Sequence, residues 1–401
     1  MEDLVEDLME DVGMTSDGQD QRDKKHHGTN GRHGTLVPQG LWSSHLNQKK
    51  KKVVLHLDLK NTIVVWDTLM DQGTEVSLNI FLSTVTWGRM NQGQWEWLSD
   101  ALSLLPPRTD AVSYFTQFGR TPGFTSGAGE RFRRVLEEHL DLLRWPEDVE
   151  GDSELSAKGP DGQLYHWIVP SFFQLLKDLT QEGQDFAVLF RTFGTDLPRA
   201  LRAMNRALNE GTHPLFPDLP DLKLSVNMTP GKICCSQSGI VLSQGENRVS
   251  TMQDGDRGLY QYLSSFQGLG GFRDHFDWWE SNSFSIRGGK PMWVDPFDKC
   301  VQHIFIDDNV RPNDEHTIVQ PKVFLDPGGD DTRLALTPDL YDTALVQCDL
   351  LRAISDRSYF TERVRGCLKK LGFYSELVFT PRDLVTCGHL HQGSMTEGAT
   401  C

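Results

Sequence analysis

The chain has 401 residues, 38% of them hydrophobic, with a formal net charge of −16 at pH 7. That length buries one large domain with insertions or two unequal domains, and the acidic balance argues against nucleic acid and against an anionic membrane surface as partners. Seven cysteines with no Cys-x-x-Cys pair, no apolar run of membrane-spanning length and no secretory pattern point to a cytoplasmic protein without disulfides.

Residues 1–50 read as an acidic and polar tail. Within it, Leu4, Val5, Leu8, Met9 and Val12 recur at helical spacing among acidic side chains. Two readings stand: a short motif that docks into a protein partner's groove, or a frayed helix. Lys49 to Lys52 form a basic run. It suits a targeting or phosphate-binding role, or it solvates the entry to the strand that follows.

Val53-Val54-Leu55-His56-Leu57 is an apolar, β-branched run that ends at Asp58, the pattern of a buried parallel strand. A long stretch, 68–166, then interrupts the core. Its clearest element is a helix from Glu130 to Leu143, so a mainly helical insertion is expected. Ser171 to Leu179 follows as an amphipathic helix closed by Gly183. Phe186 to Phe190 is the next strand, and Pro198 to Leu208 another helix. A second insertion, 211–286, should hold a hairpin around Ile233 to Thr251 and aromatic-rich helices between Tyr260 and Trp279. His303 to Ile306 is a strand ending in Asp307-Asp308-Asn309, and Lys322 to Leu325 a further strand. Tyr341 to Leu371 reads as a closing helical region, and 376–401 as a second tail. Strands alternating with helices predict an α/β protein with a doubly wound parallel sheet. Its core would comprise 51–67, 167–210 and 287–375.

In such a sheet, ligands bind beyond the carboxyl ends of the strands. Three strand ends deliver Asp58, Arg191 with Thr192, and Asp307 with Asp308 and Asn309 to that edge. Clustered carboxylates are costly unless a cation compensates them. Hard oxygen donors, few in number, suit Mg²⁺ shared with a substrate phosphate.

Leu57-Asp58-Leu59-Lys60-Asn61-Thr62-Ile63 resembles motif I of the haloacid dehalogenase (HAD) superfamily, Asp-x-Asp-x-Thr-hydrophobic. Phe186 to Thr192 resembles its motif II, an apolar strand ending in Ser or Thr. Gly289-Lys290-Pro291 is similar to the motif III Lys-Pro, and His303 to Asn309 to motif IV. The resemblance spans about residues 50–330. It implies a HAD-like Rossmannoid core with caps at 68–166 and 211–286, and a Mg²⁺-dependent phosphohydrolase acting on a small phosphorylated molecule. Asp58 would attack phosphorus and form an aspartyl-phosphate. Asp58, the backbone carbonyl of Lys60, and Asp307 or Asp308 would hold Mg²⁺. Thr192 would donate to a phosphoryl oxygen, and Lys290 would offset charge on the nucleophile and the transferring group. Asn61, Thr62 and Arg191 would line the substrate side, with Arg191 either a phosphate clamp or half of a structural ion pair.

The sequence departs from the family at Lys60. Phosphatases of the family carry there a second Asp that protonates the leaving group and then activates water. A lysine, with an ordinary pKa of about 10.4, is a poor base at neutral pH. Three readings follow: substrates with good leaving groups, an acid supplied by a cap, or a fold kept for binding or scaffolding after catalysis has weakened.

Other signals are weaker. Cys387-Gly388-His389-Leu390-His391 lacks a fourth zinc ligand, Cys234-Cys235 reads as strand packing, and Gly268 to Gly271 lacks the flanking strand of a dinucleotide fingerprint. Trp278, Trp279 and the nearby phenylalanines read as core or as the wall of a substrate pocket.

Overall fold

The computed structural model describes residues 50–66, 73–313 and 316–377. The acidic motif of residues 1–12, the tail itself and the Cys387–His391 segment lie outside the described residues.

The first strand, β1 (Lys52–Leu57), is buried along its whole length. Such a strand needs a neighbour on each edge and cover on each face, and it has all four. The three described lysines of the basic run donate to carbonyls nearby: Lys50 to Glu182, Lys51 to Asp298 and Lys52 to Ser264.

The stretch that follows has more helix than strand but is not helical alone. Its helices Thr74–Thr84 and Arg133–Leu143 share it with a three-stranded antiparallel sheet, β2 (Trp87–Asn91), β3 (Gln94–Trp97) and β4 (Val112–Ser113), and a hairpin, β5 (Ser156–Lys158) and β6 (Leu164–His166). The β2–β3 turn places Gln92 and Gly93 at φ 50° and 79°, the left-handed pair that a tight two-residue hairpin requires. Nor is the stretch a separate body. Leu78, Phe81, Phe124, Phe132 and Leu136 share one apolar cluster with Phe172, Leu175 and Leu176 of the helix Pro170–Gln181.

Strand β7 (Phe186–Thr192) pairs in parallel with β1. The helix Leu197–Asn205 then runs into a π turn, Arg206–Glu210, that ends at Gly211 in the left-handed region. The expected second insertion holds both a hairpin and helices, with two strands more than the hairpin alone. Strands β8 (Gly231–Ser236), β9 (Gly239–Gln244) and β10 (Asn247–Ser250) form an antiparallel meander. The helix Thr251–Ser265 leads from it to β11 (Gly268–Arg273). This last strand lies parallel to β7 within the main sheet. The helix Thr251–Ser265 carries Tyr260 and Tyr262, and the short helix Phe276–Ser281 carries Trp278 and Trp279, the aromatic-rich helices expected there.

Strand β13 (Val301–Asp307) flanks β1 on the other side, and β16 (Leu345–Gln347), inside the region read as helical, closes that edge. The main sheet has the order β10-β9-β8-β11-β7-β1-β13-β16, parallel from β8 to β16. Strands β12 (Lys290–Val294), β14 (Val319–Phe324) and β15 (Thr332–Leu334) form a separate small sheet. The run Lys322 to Leu325 therefore does not extend the main sheet, as its apolar character had suggested. Pro291 is tolerated because β12 is an edge strand.

Alternation sorts the side chains. Val53, Leu55, Leu57, Val188, Phe190, Ile304 and Ile306 face a cluster built with helices Pro170–Gln181, Leu197–Asn205 and Leu350–Ser355. Val54, Leu189 and Phe272 face the opposite way, toward Leu259, Trp293 and Phe324. The fold is thus α/β with a large, mostly parallel sheet covered on both faces, one of them partly by the small sheet. No helix among the described residues is long and apolar enough to cross a membrane.

Candidate functional site

The register of three neighbouring strands creates the site. Leu57 lies opposite Phe190 of β7 and Ile306 of β13. The chain leaves the sheet one residue later, with the Asp58 amide bonded to the Ile306 carbonyl at 3.0 Å. Asp58 therefore emerges beside Asp307. Leu59 to Val64 then fold into a tight turn. The amides of Thr62, Ile63 and Val64 all donate to the Leu59 carbonyl, and Asn61 sits at φ 58°. Asn and Gly accept that left-handed backbone more readily than other residues.

Lys290 arrives from the small sheet. Its ammonium donates to Asp58 Oδ1 at 2.6 Å, to Asp307 Oδ2 at 2.8 Å and to the Arg191 carbonyl at 3.1 Å. All three protons of the ammonium are thereby used. Lys290 and Asp307 are sealed from solvent, and Asp58 is buried. Asp307 Oδ1 accepts from the Asn309 amide, and Asp308 Oδ1 from the Asn309 side chain. One carboxylate oxygen each from Asp58, Asp307 and Asp308 lie within 4.8 Å of one another.

Three carboxylates face one ammonium, and the imbalance shows at Asp58 and Asp308. Burial, with repulsion from Asp307 added, pushes the Asp58 carboxyl up to about 7 against the pull of Lys290. Burial and the charges of Asp307 and Asp58 raise Asp308 well above the carboxylate range. For Lys290, burial works against the charged form, but Asp307, Asp58 and Asp274 outweigh it and its pKa rises. The pocket therefore takes up either a proton or a further cation. A set made only of carboxylate and amide oxygens suits a hard divalent ion.

Several expected residues gather here. Asp58, Lys290, Asp307 and Asp308 form the cluster, and Asn61 bonds to Asp308. Lys60 is half-buried in the turn. The Thr62 hydroxyl is buried without a hydrogen-bond partner among the described residues. Thr192 ends β7, and its hydroxyl accepts from the Gly194 amide at 3.0 Å, which leaves its proton for another acceptor.

Arg191 belongs elsewhere. Its guanidinium is fully buried and forks onto Asp274, at 2.9 Å from Nε and 2.6 Å from Nη2. Nη2 also donates to the Pro291 carbonyl, and Nη1 to His56 Nδ1. The phosphate-clamp reading is corrected: Arg191 is half of a structural ion pair, with its charge already balanced. From His56 the chain of bonds continues to His303 Nδ1 at 2.9 Å and on to Ser264. Because arginine only donates, His56 Nδ1 must accept, which fixes the protons of both rings in order. Burial, then the neighbouring cations, hold His56 well below its ordinary value, and burial takes His303 to about 3.

Sequence reasoning missed Asp274, His56 and His303. The pair Arg191–Asp274 spans 83 residues, and its carboxylate ends β11, a glycine strand without an apolar signature. Comparison with known proteins gave no match to any protein-family model, curated protein or solved structure.

Proposed function

We propose that the chain is a Mg²⁺-dependent phosphohydrolase of the HAD type, acting on a small phosphorylated molecule through an aspartyl-phosphate on Asp58. One observation carries this reading: a buried lysine joins two strand-end carboxylates, Asp58 and Asp307, with Asp308 in ligand range of both. Supporting it are the order of the four motif-like segments and a parallel sheet that delivers them to one edge. On this reading the sheet is the doubly wound core, and the stretch between β1 and β7 takes the place of the cap. Mg²⁺ held by Asp58, Asp307 or Asp308 and the Lys60 carbonyl would shield the attacking carboxylate from phosphoryl oxygens. Lys290 keeps Asp58 oriented and offsets its charge. Thr192 donates a hydrogen bond to a phosphoryl oxygen.

Lys60 supports a second reading, a HAD-fold binding protein with weakened catalysis, because the position expected to supply an acid carries an ammonium. Phosphate release from acetyl phosphate and aryl phosphates with Mg²⁺, measured beside Asp58→Asn, separates the two. The hydrolase reading expects the variant to lose about 10⁴-fold or more in rate. Equal background rates sink it. Calorimetric titration with Mg²⁺ and beryllium fluoride should then show whether Asp58-dependent binding survives.

A further inference from the structure

Phe193 follows Thr192 directly and links the carboxylate pocket to a cluster of rings. The Lys290 ammonium lies 5.1 Å from the centre of the Phe193 ring, while donating to Asp58 at 2.6 Å. Phe193 stacks on Trp279 at 5.3 Å and 14°, and meets Phe276 edge-on at 5.7 Å. Phe284 closes against Trp279 at 5.2 Å and 86°. All four rings are only half-buried, although Phe193 lies next to a sealed lysine. Two further observations point to a ligand. The Trp279 indole N–H is buried without an acceptor among the described residues. Ser283 and Phe284 sit in succession at φ 56° and 54°, a conformation that costs a non-glycine residue energy and persists mainly where function holds it. That strained turn is tied to the helix before it by the Phe284 amide, which donates to the Trp279 carbonyl at 3.0 Å. It ends six residues before Lys290, so one short segment sets both the rings and the lysine.

We propose that Phe193, Phe276, Trp279 and Phe284 seat the leaving group, and that the substrate is a phosphate monoester of a planar aryl alcohol. The inference rests on the aspartyl-phosphate reading above, and it resolves the difficulty at Lys60. An aryl oxide has a conjugate acid with a pKa of about 10, as in tyrosine, so it departs without a proton delivered by the protein. In the first step an Asp58 oxygen bonds to phosphorus and the P–O(aryl) bond breaks. The aryl oxide leaves with the electron pair and is protonated by water. In the second step water attacks phosphorus, the bond to Asp58 breaks, and the proton of the water passes to the phosphate or to solvent. Stacking on Phe193 and Trp279 holds the ring in line with Asp58.

The test is calorimetric and needs no turnover. Benzylphosphonate and methylphosphonate are titrated into the full chain with Mg²⁺. Benzylphosphonate should bind at least about tenfold tighter, a preference that falls toward unity in Trp279→Leu and is largely kept in Trp279→Phe. Equal affinities in the unmodified protein, no binding of either compound, or a preference untouched by Trp279→Leu would overturn the aryl seat. The two proposals fail separately. A benzyl preference without Asp58-dependent hydrolysis removes the hydrolase and keeps the seat. Asp58-dependent hydrolysis of acetyl phosphate without that preference does the reverse.

Discussion

Two polar clusters share strands β1 and β13, a few residues apart, and they are built on opposite principles. Around Arg191, one guanidinium meets one carboxylate, Asp274, and two histidines held neutral. Every strong donor has an acceptor, and water is excluded. Around Lys290, one ammonium meets three carboxylates, two of which are pushed toward protonation by burial and by one another. The first cluster is complete in itself and is a packing device. The second is completed only by something positive from outside. Charge balance, more than burial, separates structure from site here, because Asp307 is as deeply buried as Arg191.

The comparison breaks most directly on removal of each cation. Arg191→Ala strands Asp274 in the interior and should cost about 3–5 kcal/mol in urea denaturation. Mg²⁺ should add no more than it adds to the unmodified protein, because a lone carboxylate at Asp274 is no further Mg²⁺ site. In the unmodified protein, Mg²⁺ at a hundredfold excess over its Kd should stabilise by about 2.7 kcal/mol. The increment should be at least as large in Lys290→Ala, where no ammonium competes for the carboxylates. Arg191→Ala, whose carboxylate pocket is intact, should show the increment of the unmodified protein, and a markedly larger one, which would need a second Mg²⁺ site at Asp274, would erase the distinction drawn between the clusters.

Lys60→Asp sharpens the picture at the second cluster. It should raise the hydrolysis rate of an alkyl phosphate by about 10²-fold, the lower end of what a placed acid contributes, and that of an aryl phosphate by much less. Equal gains for both would show that the leaving group does not limit the rate.

Smaller effects come from histidines held neutral away from the carboxylates. Burial first, then nearby cationic groups, lower His166 to about 4 and His213 to about 3, and burial lowers His303 to about 3. These folded values lie below the unfolded one of about 6.5, so the unfolded chain binds more protons between them. Their contribution to stability is therefore whole above pH 6.5 and is lost as pH falls toward 3. Each histidine should contribute a slope of up to about 1.4 kcal/mol per pH unit in that window. Denaturation midpoints measured from pH 7 to pH 4 check this, and His213→Phe should flatten the curve. An unchanged slope in that variant would count against a neutral His213.

Much of the site was legible in the sequence because its carriers are apolar runs that stop at a carboxylate. Val53 to Asp58 and His303 to Asp308 announce both a strand and its end. Lys290 was legible only as part of a motif, since a Gly-Gly-Lys-Pro segment carries no strand signal. Its place on β12 depends on the small sheet, where β12 pairs with β14 across about thirty residues of sequence. Strand β11 was illegible for a steric reason. Gly271 packs where a Cβ would lie 2.9 Å from Phe190 and 2.6 Å from Leu197, so the property that fits it between β7 and β8 also strips it of β-propensity. Asp274 disappeared with it. The β2–β3 hairpin was missed although Gln92-Gly93 is a turn signal, because the Trp and Glu alternation of β3 is only four residues long. Arg191 could not be assigned from sequence, since clamp and ion pair ask for the same side chain.

The route by which Lys290 reaches Asp58 has a consequence in time. The two residues are 232 positions apart, and a ribosome adding about 5–20 residues per second takes about 10–50 s to cover that span. Through that interval Asp58 ends a nascent apolar strand whose β13 neighbour has not been made. The carboxylate cluster comes together only when synthesis is well past its midpoint, so a truncated chain that lacks β12 and β13 can carry Asp58 but never the pocket.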